Sequence, residues 1–154
     1  MNHAIPQVYY AKEEGYNRVV TETGAIQWGP ALAYAAAQFN LKCRVYVVRT
    51  AYEYKVDRRS FIEFLGGEAV PSPSPYTEVG RRYMKIKYGG SLGIAVSEAA
   101  EDAWVNDDTV IVPGSLLNSV LMYATINGLE TKKQLEMIDE QPDIMIGFGF
   151  HRYF

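Results

Sequence analysis

The stretch Thr21-Glu22-Thr23-Gly24-Ala25-Ile26-Gln27-Trp28-Gly29-Pro30 decides how this chain is read. It follows a strand-like run, Arg18-Val19-Val20, and leads into a helix-like run, Ala31-Leu32-Ala33-Tyr34-Ala35-Ala36-Ala37. A strand, a short polar turn with glycines and then a helix is where open α/β sheets place their ligand sites. The start of such a helix has N–H groups without intrahelical partners and a partial positive charge, and both suit an anion. The stretch is either a working site or the inherited outline of one.

Outward from it the alternation repeats. Residues 18–21 read as the first strand and 42–48 as the second. The second is nearly all apolar, as a parallel strand covered on both faces should be. Residues 68–70 and 109–112 read as the third and fourth strands, and Ile144-Met145-Ile146 as the last. Helices are expected over residues 2–14, 30–39, 54–65, 77–88, 91–105, 116–126 and 129–139. In the third of these, Val56, Phe61, Ile62 and Leu65 form the inner stripe; in the fifth, Leu92, Ala95, Val96, Ala99, Ala103 and Trp104 do. Gly15, Asn40 and Gly66-Gly67 are stop signals, and Ser91 is a cap. Pro71-Ser72-Pro73-Ser74-Pro75 is too short for a linker and reads as a structured turn. The helix over 116–126 is apolar almost all round, so it is buried on two sides or carries an exposed patch. Strands alternating with helices, with no internal repeat, give an α/β fold: three layers, α/β/α, around a mainly parallel sheet of four or five strands.

With 154 residues, 48% of them apolar and 21% charged, residues 1–154 make a single domain with a real core. A net charge of −3 gives nucleic acid no purchase. No run approaches membrane-spanning length and no signal-peptide pattern is present, so the expected location is the cytoplasm. The lone Cys43 excludes an internal disulfide and reads as a buried, inert thiol. His3 and His151 lie near opposite termini without acidic or thiol neighbours, so no metal site is expected. Arg58-Arg59 and Arg81-Arg82 read as solvated helix faces.

The quoted stretch, with Trp28 in it, resembles the substrate-carboxylate loop of the tryptophan synthase β chain, in the second, archaeal-type branch of that family. The resemblance continues through Val47-Val48-Arg49-Thr50-Ala51-Tyr52-Glu53, Gly67-Glu68-Ala69-Val70-Pro71-Ser72-Pro73-Ser74, Gly90-Ser91-Leu92-Gly93-Ile94-Ala95 and Ile126-Asn127-Gly128-Leu129-Glu130. It covers all but the last seven residues, as an isolated N-terminal (communication) domain would. The family is pyridoxal-phosphate dependent and joins L-serine to indole. The resemblance implies a Rossmann- or flavodoxin-like sheet of order 3-2-1-4, or 3-2-1-4-5 if residues 143–148 add a fifth strand. It implies Glu22 as the acid/base position and Thr23, Gly24, Ala25, Gln27 and Trp28 as substrate-binding positions.

The departures from the family pattern point away from catalysis. Met1-Asn2-His3-Ala4 aligns just after the family's cofactor lysine, and Ile146-Gly147-Phe148-Gly149-Phe150-His151 lacks the glycine triplet that cradles the phosphate. Ile26 stands where the loop usually has glycine, and Pro30 replaces a serine. Ser119, Tyr123 and Ala124 stand where the family more often has His, His and Gln. The expectation is therefore a non-catalytic, stand-alone domain that needs no cofactor, with weak anion or carboxylate binding at the loop, and a designed or laboratory-evolved origin. It requires no partner and pairs with a second copy through the former interdomain face, where Phe148, Phe150, Tyr153 and Phe154 add apolar surface. Two alternatives stand beside this: a synthase fragment active only with its missing half or cofactor, and an assembly module that docks a synthase α chain.

Overall fold

The computed structural model describes residues 1–115 and 117–146. Four strands, β1 (Arg18–Thr23), β2 (Lys42–Val48), β3 (Glu68–Ser72) and β4 (Thr109–Ile111), form one sheet in the order β3-β2-β1-β4. Every pairing is parallel, with Arg18 opposite Lys42 at one end of the central pair and Thr23 opposite Val47 at the other. Parallel neighbours need crossovers. Here these pass through α2 (Trp28–Gln38), then α3 (Arg49–Tyr54) and α4 (Val56–Phe64), then α5 (Glu78–Lys85) and α6 (Leu92–Trp104). Helix α1 (Ala4–Glu13) precedes the sheet, and α7 (Asn118–Ala124) and α8 (Ile126–Met137) follow it.

Side chains alternate across a strand, so each strand serves two cores. Val19, Val45 and Val47 pack with Ala4 and Val8 of α1, Leu32 and Ala36 of α2, and Ile62 of α4. On the other face Val20, Tyr46 and Val70 pack against Ala95 and Ala99 of α6. The result is the three-layer α/β/α arrangement read from the sequence. Helix α2 lies close to the sheet because Gly29 has no side chain: a Cβ there would sit 2.8 Å from Ile62 Cδ1 and 2.9 Å from Val45 Cγ1.

Two buried carboxylates lock the second core. Glu98 accepts from the Ser72 hydroxyl at 2.5 Å, the Ser74 N–H at 3.0 Å and hydroxyl at 2.6 Å, and the Thr77 hydroxyl at 2.8 Å. That clamp makes the Pro-Ser run a structured turn. Asp102 accepts from Arg18 Nη2 at 2.6 Å, Arg44 Nη1 at 3.1 Å and the Tyr46 hydroxyl at 2.9 Å, tying α6 to the amino ends of β1 and β2.

Several details differ from the sequence reading. The helix expected over 54–65 is two helices that meet at Lys55 (φ −112, ψ 57). Ile62 is buried, but Val56 and Phe61 are exposed. On α6 Ala95 and Ala99 are buried as expected, whereas Trp104 faces solvent. The apolar helix over 116–126 is shorter, buries Val120, and leaves Leu117, Leu121 and Met122 exposed. Residues 144–146 form no strand, and their side chains are exposed. The sheet therefore ends at β4 among the described residues, without the fifth strand. The physical reason is the short edge of β4: Val112 still donates to the Val20 carbonyl, but Pro113 follows and has no N–H. Residues 147 and 148, His151 and the aromatic tail lie outside the described residues.

Candidate functional site

In the order β3-β2-β1-β4 the sheet grows outward in both directions from β1, and the crevice at the carboxyl ends of β1 and β4 is the switch point. The turn at residues 24–27 lies there, between β1 and α2. The chain fills this crevice itself. Trp28 Nε1 donates to Thr21 Oγ1 at 2.9 Å and to the Val112 carbonyl at 3.3 Å, bridging β1 to the segment after β4. The His3 ring stacks on the indole with centroids 4.6 Å apart, and its Nε2 lies 3.2 Å from the Gly114 carbonyl. Gly114 is pressed against the same indole: a Cβ there would come within 2.7 Å of Trp28 Cγ.

The turn is closed from below as well. Ile26 is buried in the first core with φ 57, a left-handed backbone that β-branched residues rarely adopt. Thr21, Glu22 and Thr23 are buried. Burial pushes the Glu22 carboxyl above its ordinary range, against hydrogen bonds from its own backbone and from the Thr21 hydroxyl, 3.4 Å away. Gly24 is half-buried, and Ala25 and Gln27 are exposed. The Ala25 carbonyl accepts from Arg58 Nη1 at 2.8 Å and from Lys55 Nζ at 3.4 Å.

The positions expected at the site, Glu22 to Trp28, lie along one contiguous turn between β1 and α2. Trp28 plugs the crevice, while Ala25 and Gln27 stand outside it. Arg58 rests on the turn and is not merely solvated. His3, Lys55, Arg58 and Gly114 were missed. Lys55 and Arg58 stand three residues apart, a spacing that puts both cations on one side of a helical turn and was the available signal. His3 and Gly114 carry no local signal. Cys43 is buried in β2 with its thiol pushed up to about 12, so it is inert as expected. Among the described residues no group of three His, Cys, Asp or Glu side chains is placed to hold a metal ion.

No protein-family model matches the chain. Curated relatives do. Tryptophan synthase beta chain 2 of Methanothermobacter thermautotrophicus is 51% identical over 149 residues, 96% of this chain and 35% of the relative. The corresponding protein of Aquifex aeolicus is 51% identical over 148 residues, covering 95% and 34%. Over almost its whole length the chain is similar to one part of the tryptophan synthase beta chain 2. It spans about a third of the length of these relatives. Two solved structures share its fold. Diaminopropionate ammonia lyase from Escherichia coli, in apo form, matches 92% of this chain and 38% of its own with a TM-score of 0.66 at 15% identity. A pyridoxal 5'-phosphate-dependent aspartate racemase matches 88% and 35% with a TM-score of 0.57 at 23% identity.

Trp28, with His3 stacked on it, occupies the crevice. The lysine that reaches the turn, Lys55, holds its amine on the exposed Ala25 carbonyl at the rim. Among the described residues, the turn has a buried carboxyl raised above its ordinary range and a rim of two cations.

Proposed function

We propose that the chain is a non-catalytic α/β domain that keeps the outline of a ligand turn and closes it with its own side chains. One observation carries this reading: Ile26, which stands where the resembling loop usually has glycine, is buried at φ 57 and fills the floor of the turn. The indole N–H, shared between the Thr21 hydroxyl and the Val112 carbonyl, holds Trp28 across the carboxyl ends of β1 and β4. Glu22 can hold a proton in this burial, but acid/base work needs a substrate held against it. What remains is weak binding of a phosphate or carboxylate at the rim, where Lys55 and Arg58 reach the Ala25 carbonyl in the turn before α2. Ile26 and Pro30 fit a chain shaped by design or selection to fold alone, in the cytoplasm.

Calorimetric titration with phosphate, L-serine and pyridoxal phosphate, with absorbance recorded in parallel, tests this. Weak salt-sensitive binding of phosphate and no saturable new absorbance band with pyridoxal phosphate are expected. A saturable band together with turnover of L-serine overturns the proposal. The variant Ile26→Gly, which reopens the turn, should bind phosphate more tightly than the parent.

A second reading is favoured by the relatives: about half of the residues are identical over a third of a longer protein. On that reading the chain completes an enzyme when the other two thirds are supplied separately. Mixing it with that part of the Methanothermobacter relative and measuring tryptophan formed from L-serine and indole decides it; no activity above the separate parts removes it.

A further inference from the structure

Three separate parts of the chain meet at His3. Its ring lies flat on the Trp28 indole, with centroids 4.6 Å apart and planes 3° from parallel. Its Nε2 is 3.2 Å from the Gly114 carbonyl. Gln7, one turn further along α1, reaches the same segment: its Nε2 donates to the His3 carbonyl at 2.8 Å and to the Pro113 carbonyl at 3.4 Å. Trp28 in turn holds Thr21 and Val112 through its one N–H. The start of α1, the indole and residues 112–114 therefore close together over the carboxyl ends of β1 and β4. Of the residues in these contacts, His3 alone has a titratable side chain.

Histidine changes charge close to neutral pH. A carbonyl can only accept, so the neutral ring carries its proton on Nε2 and donates to Gly114. The protonated ring has a second N–H, on Nδ1, and no described residue supplies an acceptor for it. The charges around the ring do not favour the cation either. Met1 brings its amino group, a like charge, from the same end of α1, while Lys12 and Glu13 lie at the far end of that helix. Tyr34 is the one ionisable side chain of α2, and residues 112–114 have none. β1 brings Glu22, which accepts from the Thr21 hydroxyl; burial raises that carboxyl, so acid removes its charge. Arg18 is at the opposite end of the strand. α8, joined through Asn127 to the neighbouring Asn2, holds Glu130, Lys132, Lys133 and Glu136 out in water. The pull of a cation toward the indole face opposes all this. Burial and then the Met1 charge nevertheless bring His3 below its ordinary value of 6.5, against the carbonyl contact that raises it.

We infer that His3 is an acid-released clasp on Trp28: the neutral ring holds the indole and residues 112–114 over the turn, and the imidazolium lets go of both and opens the crevice beside Glu22. The clasp is complete above 6.5 and is lost as pH falls through the lowered value.

Proton–nitrogen NMR of the intact chain between about pH 5 and about pH 8 tests this, following the His3 ring and the Trp28 indole N–H, with far-UV circular dichroism at each pH. Trp104→Phe, at an exposed site, assigns the two indole resonances. The Trp28 resonance should move with the His3 titration, at a common midpoint below 6.5. His3→Phe keeps a flat ring on the indole and cannot be charged, and His3→Gln keeps a donor for Gly114; neither should show the step. Hydrogen exchange at the Trp28 indole should be several times faster in the parent than in His3→Phe at the acid end and equal at the alkaline end. A midpoint at or above 6.5, an indole indifferent to the His3 titration, or a step that survives in either variant overturns the inference. So does a step that comes with loss of the far-UV signal, since the whole fold then opens and not the clasp.

Discussion

Ile26 sets two opposing energies against each other. A left-handed backbone costs an ordinary L-residue about 1–2 kcal/mol. Burying an isoleucine side chain contributes about 1.5–3 kcal/mol. Burial is the larger effect, which is why the chain tolerates φ 57 at a β-branched residue. Ile26→Gly should relax the strain, lose the burial and add backbone entropy to the unfolded chain. The expected net result is a loss of about 1–3 kcal/mol, read from urea unfolding, alongside the gain in phosphate affinity. Glu22 makes a second prediction at this scale. Its carboxyl is raised in the fold above the ordinary value of 4.5, chiefly by burial, so the native state holds the proton more tightly than the unfolded chain does. The resulting stability is complete below the ordinary value and is lost as pH rises through the raised one. Above the raised value the ionised Glu22 is a cost. Glu22→Gln should therefore gain on the parent as pH rises through the raised value and should lose that advantage in acid. Urea midpoints of the two proteins at several pH values check this, and a constant difference across the series contradicts it.

Helix α2 shows how an element depends on a single missing side chain. Gly29→Ala adds about 1 kcal/mol of helix propensity. The new Cβ meets Ile62 Cδ1 and Val45 Cγ1 at 2.8 and 2.9 Å, and overpacking of that kind costs about 1–3 kcal/mol. The expected outcome is a net loss of up to about 2 kcal/mol in denaturant unfolding, although propensity alone points the other way. The elements that were legible in the sequence are those whose pattern is local. β1, β2 and α2 announce themselves by apolar runs and glycine stops, and the turn between β1 and α2 was found with them. α3 was not legible because none of its residues is buried, so it has no apolar stripe. Glu98 and Asp102 were unreadable as core residues for a different reason. Their partners Ser72, Ser74, Thr77, Arg18 and Arg44 are far away in sequence and meet them only in the folded chain. The same holds for His3, which reaches Trp28 only once α1 has docked.

At the scale of the whole molecule, Asp102 is the point where separate layers depend on one group. Its carboxylate joins α6 to Arg18 of β1 and Arg44 of β2, and Arg44 in turn pairs with Glu68 of β3 at 2.8 Å. Asp102→Ala leaves two guanidinium groups without their buried counter-ion, a loss of about 3–5 kcal/mol. Domain stabilities are roughly 5–15 kcal/mol, so this single change should shift the urea midpoint by a large fraction of its value. Glu68→Gln, at the half-exposed end of the same network, should cost no more than about 1 kcal/mol. Equal effects from the two variants would show that Asp102 is not the joint holding the layers.

The two indoles of the chain sit in opposite surroundings. Trp28 is bonded through its N–H and stacked on His3, whereas Trp104 is 88% exposed. A soluble quencher such as iodide reaches Trp104 and leaves the light emitted by Trp28. The unlabelled protein therefore carries its own lamp inside the turn, and any event that lifts the indole from the crevice changes the colour of the shielded fluorescence.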